Sequence, residues 1–225
     1  PVTMGNKTLD FIFSTGSGYC AISEDNAKQM GIKDTGIEMD GFDDSNNLQV
    51  KMKLGVAEKM KIGNVEFENI LFLIKPGKLT EKDAPDYAIN GMIGLNAMLI
   101  MGEIEYDKSN NMITVLDKPK KYDSANLMFN NSRLFAQGIS GDNTLLMDFD
   151  TRALKTYMTS RFHHRYGLDY EKTAAHGTMK LGRLGLSSET VPVRIVKDFS
   201  LQIGDAKKVL PEMNIQTETI DKVYH

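Results

Sequence analysis

Residues 11–18 read FIFSTGSG, an apolar strand that runs into a small polar triplet, Ser-Thr-Gly. The same arrangement recurs at residues 147–153, which read MDFDTRA and carry the triplet Asp-Thr-Arg. Downstream of the first copy, residues 91–99 read GMIGLNAML, in which two apolar residues precede a glycine. Since the first two stretches repeat one pattern, they predict a chain built from two related halves, with its chemistry at the two triplets.

The two triplets belong to an internal repeat with an offset of 136 residues. Without a gap, this shift places identical residues on each other: Gly5 on Gly141, Thr8 on Thr144, Leu9 on Leu145, Phe13 on Phe149, Thr15 on Thr151 and Gly31 on Gly167. With a small further shift, residues 60–63 (MKIG) match residues 201–204 (LQIG). The ordered series of strand, turn, strand, helix and glycine favours duplication over the chance similarity of two apolar strands. The period is far longer than that of a solenoid, so it predicts two similar lobes.

The local pattern is mostly that of short strands. Apolar segments at residues 9–13, 65–74, 104–106 and 112–116 are separated by turn residues, with hairpin turns predicted at 63–64 and 109–111. Two short helices interrupt this pattern. The first is predicted to begin after Ser23 and to end at Gly31; the second is predicted over residues 160–166, with Thr159 as its cap and Gly167 as its end.

These patterns predict an all-β fold of two lobes. The first lobe is predicted over residues 1–118 and the second over 124–225, with the charged, proline-containing stretch 119–123 as the connection. The second lobe has no counterpart of residues 91–99, so it is expected to be incomplete. Either the chain has been trimmed or a second molecule supplies the missing element, which leaves a homodimer as an open alternative.

The composition is typical of a soluble globular protein. Of 225 residues, 41% are hydrophobic and 25% are charged, and the formal net charge is −3. This balance argues against nucleic-acid binding, and the apolar runs are too short to cross a membrane. Cys20 is the single cysteine, so neither an intrachain disulfide nor a cysteine-based metal site is expected. The start at Pro1 fits a removed leader or an artificial start.

The triplets, the later apolar-apolar-Gly element and the duplication together resemble the aspartic peptidases. The short lobes are similar to the retropepsin-like branch, fused in one chain as in the bilobal pepsin family. The resemblance implies β-barrel lobes with one short helix each and a cleft between them that binds a peptide or protein substrate. It implies that positions 14 and 150 are those of two aspartates sharing one proton, so that water is the nucleophile and no metal or other cofactor is needed. It further implies that Thr15 and Thr151 tie the two loops together, and that Gly16 permits close backbone approach.

The sequence departs from this pattern at both triplets. Ser14 stands where the first aspartate is expected, and a hydroxyl cannot share the proton of the pair near neutral pH. Arg152 stands where the second glycine is expected, and its guanidinium would favour the ionised form of Asp150. The chain is therefore expected to be inactive or nearly so. Ser14 is either an engineered substitution or a natural one in a non-catalytic binding protein, or it is compensated by Asp150 of a second chain.

Further site predictions are weaker, and competing sites are disfavoured. Flaps over the substrate are predicted at residues 41–48, including Gly41 and Phe42, and at residues 177–185, including Gly177 and Gly185; plain surface hairpins are an equal alternative. Residues 14–18 (STGSG) are rich in glycine and serine, but they lack the spacing of a phosphate-binding loop. His163 and His164 on the second helix are better explained as surface residues than as a base for Ser14, and their spacing does not suit zinc. The habit of the family in bacteria favours an exported protein, periplasmic or extracellular.

Overall fold

The computed structural model describes residues 1–43, 48–81, 84–107, 109–110, 112–118, 120–121, 125–153, 155–181 and 189–218. Most of these residues lie in β-strands, so the predicted all-β class is confirmed. The described chain divides into two compact units. The first comprises Pro1–Phe135 and Asp148–Arg152; the second comprises Ala136–Met147 and the described residues of Ala153–Arg183 and Ser187–His225. The lobe boundary at residues 119–123 stays a prediction.

The elements follow one another in short connections. From the N-terminus to the second helix they are β1 (Val2–Met4), β2 (Lys7–Leu9), β3 (Ile12–Phe13), β4 (Cys20–Ser23), α1 (Glu24–Met30), β5 (Lys33–Asp43), β6 (Leu48–Ile62), β7 (Val65–Lys75), β8 (Leu79–Glu81), β9 (Ala84–Ile89), β10 (Gly91–Ile93) and α2 (Leu95–Met101). The remainder are β11 (Ile104–Asp107), β12 (Met112–Val115), β13 (Leu127–Asn130), β14 (Arg133–Ser140), β15 (Asn143–Asp148), β16 (Tyr157–Met158), α3 (Ser160–Tyr166), a 3₁₀ turn (Gly167–Asp169), β17 (Ala175–Leu181), β18 (Glu189–Ile203) and β19 (Ala206–Gln216).

The main sheet of the first unit curls strongly. Its strand order is β2-β1-β6-β7-β4-β10-β3, with β5 paired to β6. Strands β2 and β3 stand at opposite ends of this order, yet only Asp10 and Phe11 separate them in the chain. The two ends of the sheet must therefore lie close together, as in a half-closed barrel. The single strand predicted over residues 9–13 is thus wrong, because the chain passes there from one end of the sheet to the other.

The second sheet repeats part of this order. It runs β13-β14-β18-β19-β16, with β15 paired to β14 and β17 to β18. In the first sheet β6 and β7 form an antiparallel hairpin and β7 pairs in parallel with β4; in the second, β18 and β19 form the hairpin and β19 pairs in parallel with β16. A helix follows β4 and another follows β16. The turns of both hairpins contain a glycine in the left-handed region, Gly63 (φ 58°) and Gly204 (φ 56°), as a tight turn requires.

Both predicted helices are present, and α3 differs from the prediction at both ends. The hydroxyl of Ser23 accepts a hydrogen bond from the Asn26 amide (3.3 Å), and Gly31 is left-handed (φ 72°), which confirms the predicted cap and end of α1. α3 spans residues 160–166 as predicted and begins after Thr159, but the Thr159 side chain makes no capping hydrogen bond. Gly167 is right-handed (φ −59°) and does not end the helical path. The chain instead continues there into the 3₁₀ turn.

Each unit has its own apolar core. The larger core gathers Val2, Met4, Cys20, Ile22, Ala27, Met30, Ile32, Ala57, Met60, Phe67, Ile70, Phe72, Ile74, Ile93, Leu95, Ala97, Met98 and Met101. In the second unit Leu145, Met158, Tyr170, Phe199, Leu201, Met213 and Ile215 form the main cluster. Among the described residues, no helix is both long enough and apolar enough to cross a bilayer.

Candidate active site

Backbone hydrogen bonds join the loop after β3 to β10 and to the start of α2. The amide of Ser14 donates to the carbonyl of Ile93 (3.0 Å), and the amide of Leu95 donates to the carbonyl of Ser17 (2.8 Å). β10 lies between β3, to which it is parallel, and β4, to which it is antiparallel. The loop is thus fixed through backbone hydrogen bonds, whatever side chain residue 14 carries.

Glycine is required at both ends of the GMIG element because the strand is tightly enclosed. A Cβ at Gly91 would lie 2.4 Å from the ring of Phe11, and a Cβ at Gly94 would lie 2.2 Å from the carbonyl oxygen of Tyr19. Real Cβ atoms essentially never approach other atoms so closely. Close packing behind the loop therefore accounts for this part of the sequence pattern.

Asn96 is a positioning residue that the sequence pattern did not single out. Its side-chain oxygen accepts from the amide of Cys20 (2.8 Å), and its side-chain nitrogen donates to the carbonyl of Leu71 (2.8 Å). Its own amide donates to the carbonyl of Gly18 (3.1 Å). It therefore joins the loop, β4 and β7. The only signal in the sequence is its position two residues after Gly94.

Thr15 and Thr151 exchange hydrogen bonds reciprocally. The Thr15 hydroxyl accepts from the amide of Thr151 (3.0 Å) and donates to the carbonyl of Phe149 (2.5 Å). The Thr151 hydroxyl accepts from the amide of Thr15 (3.2 Å) and donates to the carbonyl of Phe13 (3.1 Å). Residues 148–152 pack with the first unit, so this arrangement lies entirely within that unit. Four hydrogen bonds hold together two loops that are 136 residues apart.

This arrangement places the carboxyl of Asp150 directly over Gly16. A Cβ at Gly16 would lie 2.4 Å from Cγ of Asp150 and 2.5 Å from its Oδ2. The amide of Arg152 donates to Oδ1 of the same carboxyl (2.9 Å). Glycine at position 16 is therefore needed for Asp150 to approach the first loop, two residues from Ser14.

Ser14 is buried in this site. It is 0% exposed, and its hydroxyl has no hydrogen-bond partner among the described residues. A buried hydroxyl without a partner is unfavourable by about 1–3 kcal/mol. The side chain of Ser14 therefore adds nothing to the hydrogen bonds that hold the loop.

Arg152 turns its side chain toward β10. One of its terminal nitrogens lies 3.5 Å from the sulfur of Met92, and the residue is half-buried. The predicted effect of this guanidinium on the ionisation of Asp150 stays a prediction.

The segments predicted as flaps belong to long antiparallel hairpins. Gly41 and Phe42 lie in β5, opposite Val50 and Gln49 of β6. Gly177 lies in β17, opposite Val193 of β18. Gly185 and residues 44–47 of the predicted flaps lie outside the described residues. A role of either hairpin as a flap stays a prediction.

The histidines of α3 form a local cluster. Nδ1 of His163 lies 3.2 Å from the hydroxyl of Tyr170, and burial raises the pKa of that phenol to about 12. His163 and His164 line a surface cavity of about 180 Å³; a second cavity, of about 230 Å³, lies beside Glu38 and Lys53. Neither cavity is lined by a residue of the two triplets. No group of three potential metal-ligating side chains occurs in the described part of the chain.

Comparison with known proteins gives one family. Residues 1–97 match the model of the family described as aspartyl protease. The match ends within α2, so it includes the first triplet and the GMIG element but not Asp150. No curated protein matches the chain significantly. The first 97 residues are therefore similar to an aspartyl protease, which supports an aspartic peptidase relationship.

Proposed function

We propose that this protein is an aspartic peptidase homologue that binds extended peptides and, with serine at position 14, does not cleave them. The observation that carries the proposal is the reciprocal pair of threonines, which holds the carboxyl of Asp150 over Gly16. The match of residues 1–97 to the aspartyl protease family supports it independently.

The absence of cleavage follows from the chemistry of the site. Two adjacent carboxyl groups share one proton because both cannot ionise easily; the ionised group activates water and the protonated group polarises the peptide carbonyl. Ser14 supplies a hydroxyl in place of one carboxyl. Asp150 alone can serve as a base, but it cannot at the same time be the acid. Since members of a catalytic unit act together, loss of one is expected to remove most of the rate.

Duplication of an ancestral half is part of the proposal. It is supported by the matching strand orders, by the helix after β4 and after β16, and by the left-handed glycine in both hairpin turns. On this view Thr15 and Thr151 are the same residue of the ancestral half. We further infer that an extended peptide binds beside the two triplets and pairs with the hairpin β5–β6 as an added strand.

The test is to restore the missing carboxyl. Ser14→Asp is expected to give cleavage of an unfolded protein or a mixed peptide pool at acid pH, and Ser14→Asp combined with Arg152→Gly is expected to be faster still. Ser14→Asn is the matched control, because it has nearly the size of aspartate without an acid. Cleavage that appears only with aspartate and is blocked by a statine-type inhibitor supports the proposal.

The opposite result is equally clear. If the double variant folds, as judged by circular dichroism, and cleaves nothing at acid or neutral pH, the peptidase ancestry of the site is refuted. The second candidate function is that of a binding or scaffold protein that lost catalysis naturally. That candidate is favoured by the simultaneous presence of Ser14 and Arg152. It requires that the natural gene encodes serine at position 14.

A further inference from the structure

The turn between β13 and β14 packs on the first loop, which carries the Ser-Thr-Gly triplet. A Cβ at Gly18 would lie 2.5 Å from Cβ of Ser132 and 3.2 Å from its carbonyl oxygen, so the two residues are in close contact. The Gly18 carbonyl also accepts a hydrogen bond from the amide of Asn96 in α2 (3.1 Å). The end of the first loop is therefore fixed to two elements, α2 and the turn between β13 and β14.

The two residues that follow this serine contact the second loop, which carries the Asp-Thr-Arg triplet. The carbonyl of Leu134 accepts a hydrogen bond from the amide of Phe149 (2.8 Å), and Arg133 forms an ion pair with Asp148. Leu134 also packs against the core of the first unit, to which all of these residues belong. Residues 132–134 thus contact both loops without involving either threonine.

The backbone at Ser132 is unfavourable for serine. Asn131 and Ser132 are both left-handed (φ 47° and 59°), as in two-residue hairpin turns of type I′. Such turns favour glycine at the second of these positions, because most side chains are strained there. A glycine at position 132 would, however, lack the Cβ that lies against Gly18. The turn therefore carries a residue that is unfavourable locally and that supplies a contact to the first loop.

From these contacts we infer that Ser132 is a positioning residue, which sets the separation of the first loop from the second loop and so from the carboxyl of Asp150. A residue held in a strained conformation reflects a constraint imposed by its surroundings, and here the constraint is the contact with Gly18. The threonine pair joins the loops through hydrogen bonds, whereas Ser132 acts through van der Waals contact with a residue that has no side chain. The inference rests on the proposed function, in which the two loops form the peptide site.

Amide hydrogen exchange separates this role from one in stability alone. Ser132→Gly relieves the backbone strain, so Tm should stay unchanged or rise. Exchange at the Thr151 amide, which bonds the Thr15 hydroxyl, should nevertheless accelerate about tenfold as the first loop loosens. Ser132→Ala keeps the Cβ and should leave this exchange rate unchanged. Asn131→Gly is the matched control, because it relieves the other left-handed residue of the turn and retains Ser132; it should not accelerate exchange.

A size exchange across the contact is the second test. Gly18→Ala places a methyl group 2.5 Å from the Ser132 Cβ and should also accelerate exchange at Thr151, and adding Ser132→Gly should restore the rate. In the Ser14→Asp background, Ser132→Gly should lower kcat about tenfold with little change in KM. Unchanged exchange in Ser132→Gly, or equal acceleration in Asn131→Gly, overturns this inference alone. If no variant that carries Ser14→Asp cleaves a peptide, the proposed function fails, while the exchange experiment still decides this inference.

Discussion

The hydrogen bonds of the Thr15 hydroxyl are predicted to contribute more to the free energy of unfolding than those of an exposed threonine. Thr15→Val removes them with almost no change in side-chain volume. Thr15 is 8% exposed, and its hydroxyl both accepts from the Thr151 amide and donates to the Phe149 carbonyl. Valine leaves that amide and that carbonyl unpaired in a partly buried place. At about 1 kcal/mol for each lost bond, plus a desolvation penalty for the groups left behind, the free energy of unfolding should fall by about 2–4 kcal/mol.

Urea unfolding followed by far-ultraviolet circular dichroism measures this loss. Thr15→Ser keeps the hydroxyl and should cost about 1 kcal/mol or less. Thr8→Val is the matched control. Thr8 is exposed, and its hydroxyl bonds the Thr3 hydroxyl across the two strands (2.9 Å), so the change should stay within about 0.5 kcal/mol. Amide exchange at Thr151 should also accelerate in Thr15→Val. If Thr15→Val and Thr8→Val lose the same stability, the two loops are not held together by this pair.

Three further outcomes follow from single contacts. Gly94→Ala should lower the free energy of unfolding by several kcal/mol, because its Cβ would lie 2.2 Å from the Tyr19 carbonyl; an unchanged Tm would contradict this. The Cys20 thiol is fully buried and burial raises its pKa to about 11, so iodoacetamide near pH 8 should label it only in the unfolded protein. The Gly36 amide and an adjacent lysine hold the pKa of Asp34 below 3.8, so its contribution to stability should be present above that pH and fade as the pH falls; an NMR titration at or above 3.8 would refute it.

Elements with local signals could be predicted from the sequence. α1 is bounded by a serine whose hydroxyl caps it and by a left-handed glycine, and both act within one turn of the helix. The turn at Gly63 is likewise determined by neighbouring residues. Such features depend little on the rest of the fold, so the residue types alone locate them.

α2 shows why other elements could not be predicted. Residues 95–101 read LNAMLIM, an apolar run that suits a buried strand as well as a helix, and Gly94 provides no side-chain cap. Packing decides the outcome: Leu95, Ala97, Met98 and Met101 are buried on one face, while Leu99 and Ile100 remain 54% and 65% exposed. Likewise, the break between β2 and β3 follows from curling of the whole sheet, which no local pattern encodes.

The residues of the site could be predicted from the sequence only through the family resemblance and the internal repeat. Nothing in the spacing of Thr15 and Thr151 states that their hydroxyls exchange hydrogen bonds across 136 residues. The position of the Arg152 side chain against Met92 had no signal at all, because it depends on how two distant loops meet. Contacts of this kind require coordinates.

The side chain at position 14 affects the chemistry of the site but not the hydrogen bonds that set its geometry. The Ser14 amide bonds the Ile93 carbonyl through the backbone, and the two threonines hold Asp150 in place without using the side chain of residue 14. The serine hydroxyl is buried and has no partner among the described residues, so it is not retained for stability. Replacing an aspartate there removes the acid but leaves every hydrogen bond that builds the loops. On the proposed function, a site assembled in this way can lose catalysis through the substitution at position 14 while its two loops keep their arrangement.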